Sequence, residues 1–144
     1  MREYALIGRC INISSFSYPD FRKAMYPNLV FVFGPINQQV EVAASAIAKN
    51  VGAQCCLIPE NSNIFLSKFD KTQNYVLNGL FTNPNEIVIL EEYFNIRVVH
   101  FVYEREDLPD NDEYFDNEYD LLPFLKTKPY YIPIKGLLHP ASIT

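Results

Sequence analysis

The sequence predicts an α/β domain, a parallel β-sheet flanked by helices, and three observations carry that expectation. Residues 29–33 form a continuous run of β-branched, aliphatic and aromatic side chains, the pattern of a strand buried on both faces. Gly34-Pro35 breaks that run, and an alanine-rich stretch, residues 40–49, follows it as a helix. Strand and helix patterns then alternate as far as residues 96–102, as crossover units require.

Taken in order, residues 4–13 read as one strand or two short ones, and residues 20–25 as a helical turn leading into the central strand. Ala43, Ala44, Ala46 and Ala48 are small enough to let the first helix lie close on a sheet, and Gly52 supplies its stop. Residues 54–58 make the next strand, ended by Pro59, with Cys55 and Cys56 in mid-strand as core. A turn or two of helix follows at residues 64–69, then a strand at 74–77 running into Asn78-Gly79. Asn83 as N-cap, Pro84 at the first position and Glu86 in the first turn start a helix over residues 84–94, with Ile87, Leu90 and Phe94 on one face. After the strand at 96–102 comes an acidic segment, a short helix at 119–125 and a last strand at 130–134.

With 144 residues, 49% of them hydrophobic, the chain has the material for one domain with a real core. Neither an uninterrupted apolar stretch of membrane-spanning length nor a signal-peptide layout is present, so the expected location is cytoplasmic. Cys10, Cys55 and Cys56 lack metal spacing, and His100 sits in an apolar strand without a ligand neighbour, so it reads as a core histidine. Residues 104–120 contain nine acidic residues and one arginine, a net of −8 against −5 for the whole chain. Asp110, Asp112 and Asp116 do not make a calcium loop, because Tyr114 and Phe115 occupy positions that need an oxygen ligand and a glycine. Tyr114, Phe115 and Tyr119 are out of place in a disordered acidic linker, so this segment is expected to pack against something. No basic stripe with interleaved aromatics predicts nucleic-acid binding.

A strand delivering the chain through a glycine turn into a helix N-terminus is the geometry that cradles phosphate. The motif needs a second glycine, a lysine and a hydroxyl, but counted from Gly34 those positions are Gln39, Val40 and Glu41. Glu41 would repel a triphosphate by about 1–4 kcal/mol at contact distance. Ordinary ATP binding is not expected there.

The ordered segments from Leu29 onward resemble the core of adenylate kinase and related nucleoside monophosphate kinases. Val-Phe-Val-Phe-Gly-Pro at 30–35 is similar to the family's first strand and turn, and Ala-Ile-Ala-Lys-Asn-Val-Gly at 46–52 to the end of its first helix. Tyr-Val-Leu-Asn-Gly-Leu-Phe-Thr at 75–82 resembles the strand and Asp-Gly-Phe-Pro-Arg motif, with the strand Ile-Arg-Val-Val-His-Phe-Val following in order. The resemblance implies a P-loop kinase-like core over residues 29–144, preceded by an extension, residues 1–28, that would dock on this sheet or on another protein. It also exposes the losses. Asn78 and Thr82 stand where the family has its aspartate and arginine, the interval from Gly52 to Gly79 is too short for the monophosphate-binding subdomain, and the acidic insert 104–120 replaces the arginine-bearing lid.

Phosphoryl transfer depends on positioning and charge neutralisation. The expectation is therefore a pseudoenzyme with no catalytic, cofactor-binding or metal-binding residues. Its partners would be other proteins of a large complex, with no nucleic acid and no membrane. Adenylate-kinase-like domains recur in cilia and flagella, so the resemblance implies an axonemal setting, with tubulin or doublet-microtubule proteins as partners. A nucleotide sensor using the backbone near Gly34 and a divergent kinase are the competing readings.

Overall fold

The computed structural model describes residues 25–135, so the expected strand at 4–13, the expected turn at 20–25 except for Met25, and the tail beyond Lys135 lie outside the described residues. Within them are five strands, β1 Asn28–Phe33, β2 Gln54–Leu57, β3 Tyr75–Asn78, β4 Asn95–Val102 and β5 Tyr131–Lys135. Four α-helices connect them, α1 Asn37–Val51, α2 Ser62–Lys68, α3 Pro84–Leu90 and α4 Asp112–Leu125. Every strand pairing is parallel, in the order β2-β3-β1-β4-β5, which is an α/β sheet flanked by helices and compatible with a P-loop-like fold.

The order explains the burial. β1 lies in the middle, with Phe31 opposite Leu77 of β3 on one side and Val98 of β4 on the other. Its alternate side chains enter two cores. Leu29, Phe31 and Phe33 pack with Phe65 of α2, Ile87 and Leu90 of α3, and Leu121 and Leu125 of α4. Val30 and Val32 pack on the opposite face with Val40, Ala43, Ala44 and Ile47 of α1. A right-handed crossover puts its helix on a face set by the direction of the step along the sheet. The β1-to-β2 step runs one way and every later step the other, so α1 has one face and the other three helices share the second. That reversal opens a crevice at the carboxyl ends of the strands beside β1, the usual ligand position in open α/β sheets.

Local chemistry sets most of the helix ends. Gly52 closes α1 in the left-handed conformation (φ 65°), donating its N–H to the Ala48 carbonyl. Asn61 caps α2 by accepting from Ile64 N–H at 2.9 Å, and Asn83 caps α3 by accepting from Asn85 N–H at 3.0 Å. The free N–H of Ser62 donates to Glu86 at 2.6 Å, joining the starts of α2 and α3. Hydrogen bonding from Ser62 holds the Glu86 carboxyl below its ordinary range.

Four expectations need correction. The first helix starts at Asn37 instead of 40, because Gln39 is buried in its first turn by Tyr103 of the distant β4 end. The α3 helix ends at Leu90 and Phe94 is reached through a turn, although all three expected apolar residues are buried. Most of the acidic segment is structured, for α4 begins at Asp112 instead of 119. Asp112 and Glu113 favour the positive end of that helix, while Phe115, Leu121 and Leu125 anchor it to the sheet. The cysteines are not core, since β2 is the edge strand of the described sheet, with Cys55 exposed and Cys56 half-buried. Partial desolvation of the sulfurs still pushes both thiols above their ordinary value.

Candidate functional site

The crevice at the carboxyl ends of β1 and β3 is built by three short pieces of chain. The first is the turn from Phe33 to Asn37, where Gly34, Pro35 and Ile36 alone separate strand from helix. So short a turn cannot wrap a phosphate chain as the longer motif loop does. Gly34 answers to packing instead. A Cβ added to it would lie 2.9 Å from the Phe101 Cβ, so the residue is small because β4 runs against it. The three positions compared above with a phosphate-loop motif have other surroundings: Gln39 accepts a hydrogen bond from the Tyr103 hydroxyl at 2.8 Å, Val40 is core and Glu41 is exposed on α1.

The second piece is Asn78-Gly79. Asn78 ends β3, and Gly79 turns the chain with φ 123°, its N–H donating to the Val32 carbonyl of β1 at 2.8 Å. Thr82, a few residues on, reaches the crevice wall, whereas Asn78 is not among the lining residues.

The third piece is α4, which brings Tyr114, Asn117, Glu118 and Leu121 over the strand ends. Beneath them lies His100, near the end of β4 and fully buried. Its ring stacks on Phe33, with centroids 4.1 Å apart and planes 10° from parallel. Nδ1 lies 2.7 Å from the Tyr131 hydroxyl, and Nε2 lies 3.0 Å from the Tyr114 hydroxyl and 3.1 Å from Glu118 Oε2. We assign the Nε2–H tautomer, because every group then has a role: Nε2–H donates to the Glu118 carboxylate, and the Tyr131 hydroxyl donates to Nδ1. The Tyr114 hydroxyl is left to donate to Glu118.

These contacts govern the alkaline behaviour of the fold. Burial, reinforced by the Glu118 carboxylate, pushes Tyr114 well above the ordinary tyrosine value, and burial pushes Tyr131 up to about 12. Burial also raises Tyr130, whose hydroxyl donates to Glu91 at 2.6 Å. The folded chain therefore keeps these protons at a pH where the unfolded chain releases them. The contribution of these tyrosines is unchanged below about pH 10 and is lost as the pH rises toward 12. The slope is at most about 1.4 kcal/mol per pH unit for each tyrosine, and smaller for the more exposed Tyr130 and Tyr131. Urea midpoints recorded from pH 8 to pH 12 should show this decline, shallower in Tyr114→Phe; a flat profile would contradict it.

Sequence reading expected His100 to be core, which it is, and missed the network around it. The only signal was indirect: the aromatic residues inside an acidic segment, of which Tyr114 and Phe115 do pack inward while Tyr119 remains exposed. Among the described residues there is no group of His, Cys, Asp or Glu arranged to hold a metal ion, and no helix long and apolar enough to cross a membrane.

Fold and crevice together define a parallel α/β domain whose strand ends are covered by an acidic helix. No protein-family model, curated protein or solved structure matches the chain.

Proposed function

We propose that the chain is a non-catalytic structural or docking subunit of a larger assembly, built on a core like that of the P-loop nucleoside monophosphate kinases. The observation that carries this reading is the crevice lining: Phe33, Gly34, Gly79, Tyr114 and Glu118 line it, together with Leu80, Thr82, Asn117 and Leu121, and none of these is a lysine or an arginine. Charge neutralisation is most of what a protein contributes to phosphoryl transfer, and this lining contributes a carboxylate instead. The one basic residue of the segment 104–120, Arg105, pairs with Asp112 at 3.3 Å and Asp116 at 2.9 Å. The kinase resemblance makes a doublet-microtubule assembly of a cilium or flagellum the first setting in which to look for partners.

Melting curves with millimolar ATP, ADP or AMP, with and without magnesium, test this reading. A ligand that binds only the native state at a hundred times its Kd stabilises it by about 2.7 kcal/mol, which is easily seen in a domain of this size. No shift is expected. A saturable rise in melting temperature would replace the docking reading with nucleotide sensing, and phosphoryl transfer by the purified chain would replace it with a divergent kinase.

A further inference from the structure

We propose that the crevice beside β1 receives an alkylammonium group, the lysine side chain of a partner protein, with Glu118 as its counter-charge. The proposal rests on the docking reading and says what the docking surface recognises. The cavity has a volume of about 180 Å³. For comparison, an apolar cavity of about 150 Å³ is enough for benzene, so four methylenes and an ammonium fit. Phe33, Leu80 and Leu121 offer apolar wall to the methylenes, and Tyr114, Asn117 and Glu118 offer oxygen acceptors to the charged end.

Glu118 is built for this role by what holds it. Its side chain is 11% exposed, and Oε2 is fixed by His100 Nε2 at 3.1 Å. His100 is itself held by Tyr131 and by its stack on Phe33. A carboxylate already ordered loses little side-chain freedom when a cation arrives, and side-chain ordering is one of the costs that binding must meet. The field agrees. Residues 104–120 carry a net charge of −8, and their one arginine is already shared between Asp112 and Asp116. Such a surface draws cations toward the crevice and repels phosphates and carboxylates. Acidic residues alone would be a solvated helix face; the cavity and its fixed carboxylate distinguish this site.

The test is an amide chemical-shift titration of the full chain with Nα-acetyl-lysine N-methylamide. Nα-acetyl-norleucine N-methylamide serves as its uncharged counterpart and n-butylamine as the free amine. The lysine derivative should shift the amides of Gly34, Gly79 and Asn117 saturably, and the norleucine derivative should leave them in place. Glu118→Gln should weaken binding about ten- to a hundredfold, the worth of a hydrogen bond between charged groups. Thr82→Phe, at an exposed lining position outside the His100 network, should block the crevice, and it decides the matter if Glu118→Gln does not fold.

Equal shifts from the norleucine derivative, unchanged affinity in a folded Glu118→Gln or Thr82→Phe variant, or no binding at all would overturn the proposal. Binding of n-butylamine but not of the lysine derivative would overturn the assignment to a partner's side chain in favour of a free amine. The nucleotide melting curves stand apart from this titration. A silent titration with silent nucleotides removes only the lysine site, whereas a nucleotide shift removes the docking reading on which it rests.

Discussion

Replacing Gly79 by alanine is expected to destabilise the fold by about 2–5 kcal/mol, through two independent effects. The backbone there has φ 123°, a conformation that side chains with a Cβ rarely adopt. Space is also lacking, because the new Cβ would lie 2.8 Å from Ile58 Cγ2 and 3.2 Å from Ile58 Cβ. Ile58 is β-branched and stiff, and its Cβ moves only with the backbone that follows β2, so relief requires a shift of main chain. Gly52 supplies the internal control. Its φ is 65°, yet a Cβ there would meet nothing within 4 Å, so Gly52→Ala should cost only the conformational part, about 1–2 kcal/mol. Urea denaturation of the two variants at equal m-value measures the difference. Equal losses would mean that the approach of Ile58 contributes nothing.

Removing the imidazole beneath the crevice should cost about 3–5 kcal/mol in His100→Ala, the range for emptying the site of a large buried aromatic side chain. The change leaves a cavity beside Phe33 and strips a partner from both Tyr131 and Glu118. Buried polar groups left without partners cost more than the original bonds contributed, so the loss should exceed that of Glu118→Gln, which keeps the imidazole in place. A double-mutant cycle between His100→Ala and Glu118→Gln should return a coupling of about 0.5–3 kcal/mol. Additive losses would show that the two groups, although 3.1 Å apart, do not depend on each other.

Much of the architecture could be read from local pattern. The apolar runs that become β1 and β4 are buried along nearly their whole length, and three of the four expected alanines of α1, Ala43, Ala44 and Ala48, are buried, while Ala46 is only partly so. The Asn83-Pro84 start of α3 is present with the expected cap. These features depend on neighbours in the chain, so the chain records them. The start of α1 was missed because Asn37, Gln38 and Gln39 show no apolar period, and Gln39 is buried only through Tyr103, far along the sequence. The acidic part of α4 hid its helix for a related reason: charge dominates its composition, and its inward residues serve two cores, Phe115 one and Leu121 and Leu125 the other, so they show no common period.

What the sequence determined by itself was the class of the protein, a parallel α/β domain, and that the stretch after Gly34 does not spell the glycine, lysine and hydroxyl of a phosphate-loop motif. Hydrophobic periodicity and motif spacing are local, and both conclusions are local. Tertiary structure decided which strand is an edge of the described sheet, exposing Cys55, and which residues line the crevice. His100, Tyr114, Glu118 and Tyr131 come from three separate elements and meet only because β4 lies between β1 and β5, with α4 crossing the strand ends. Strand order is chosen by the packing of whole faces, and no short stretch of sequence carries it.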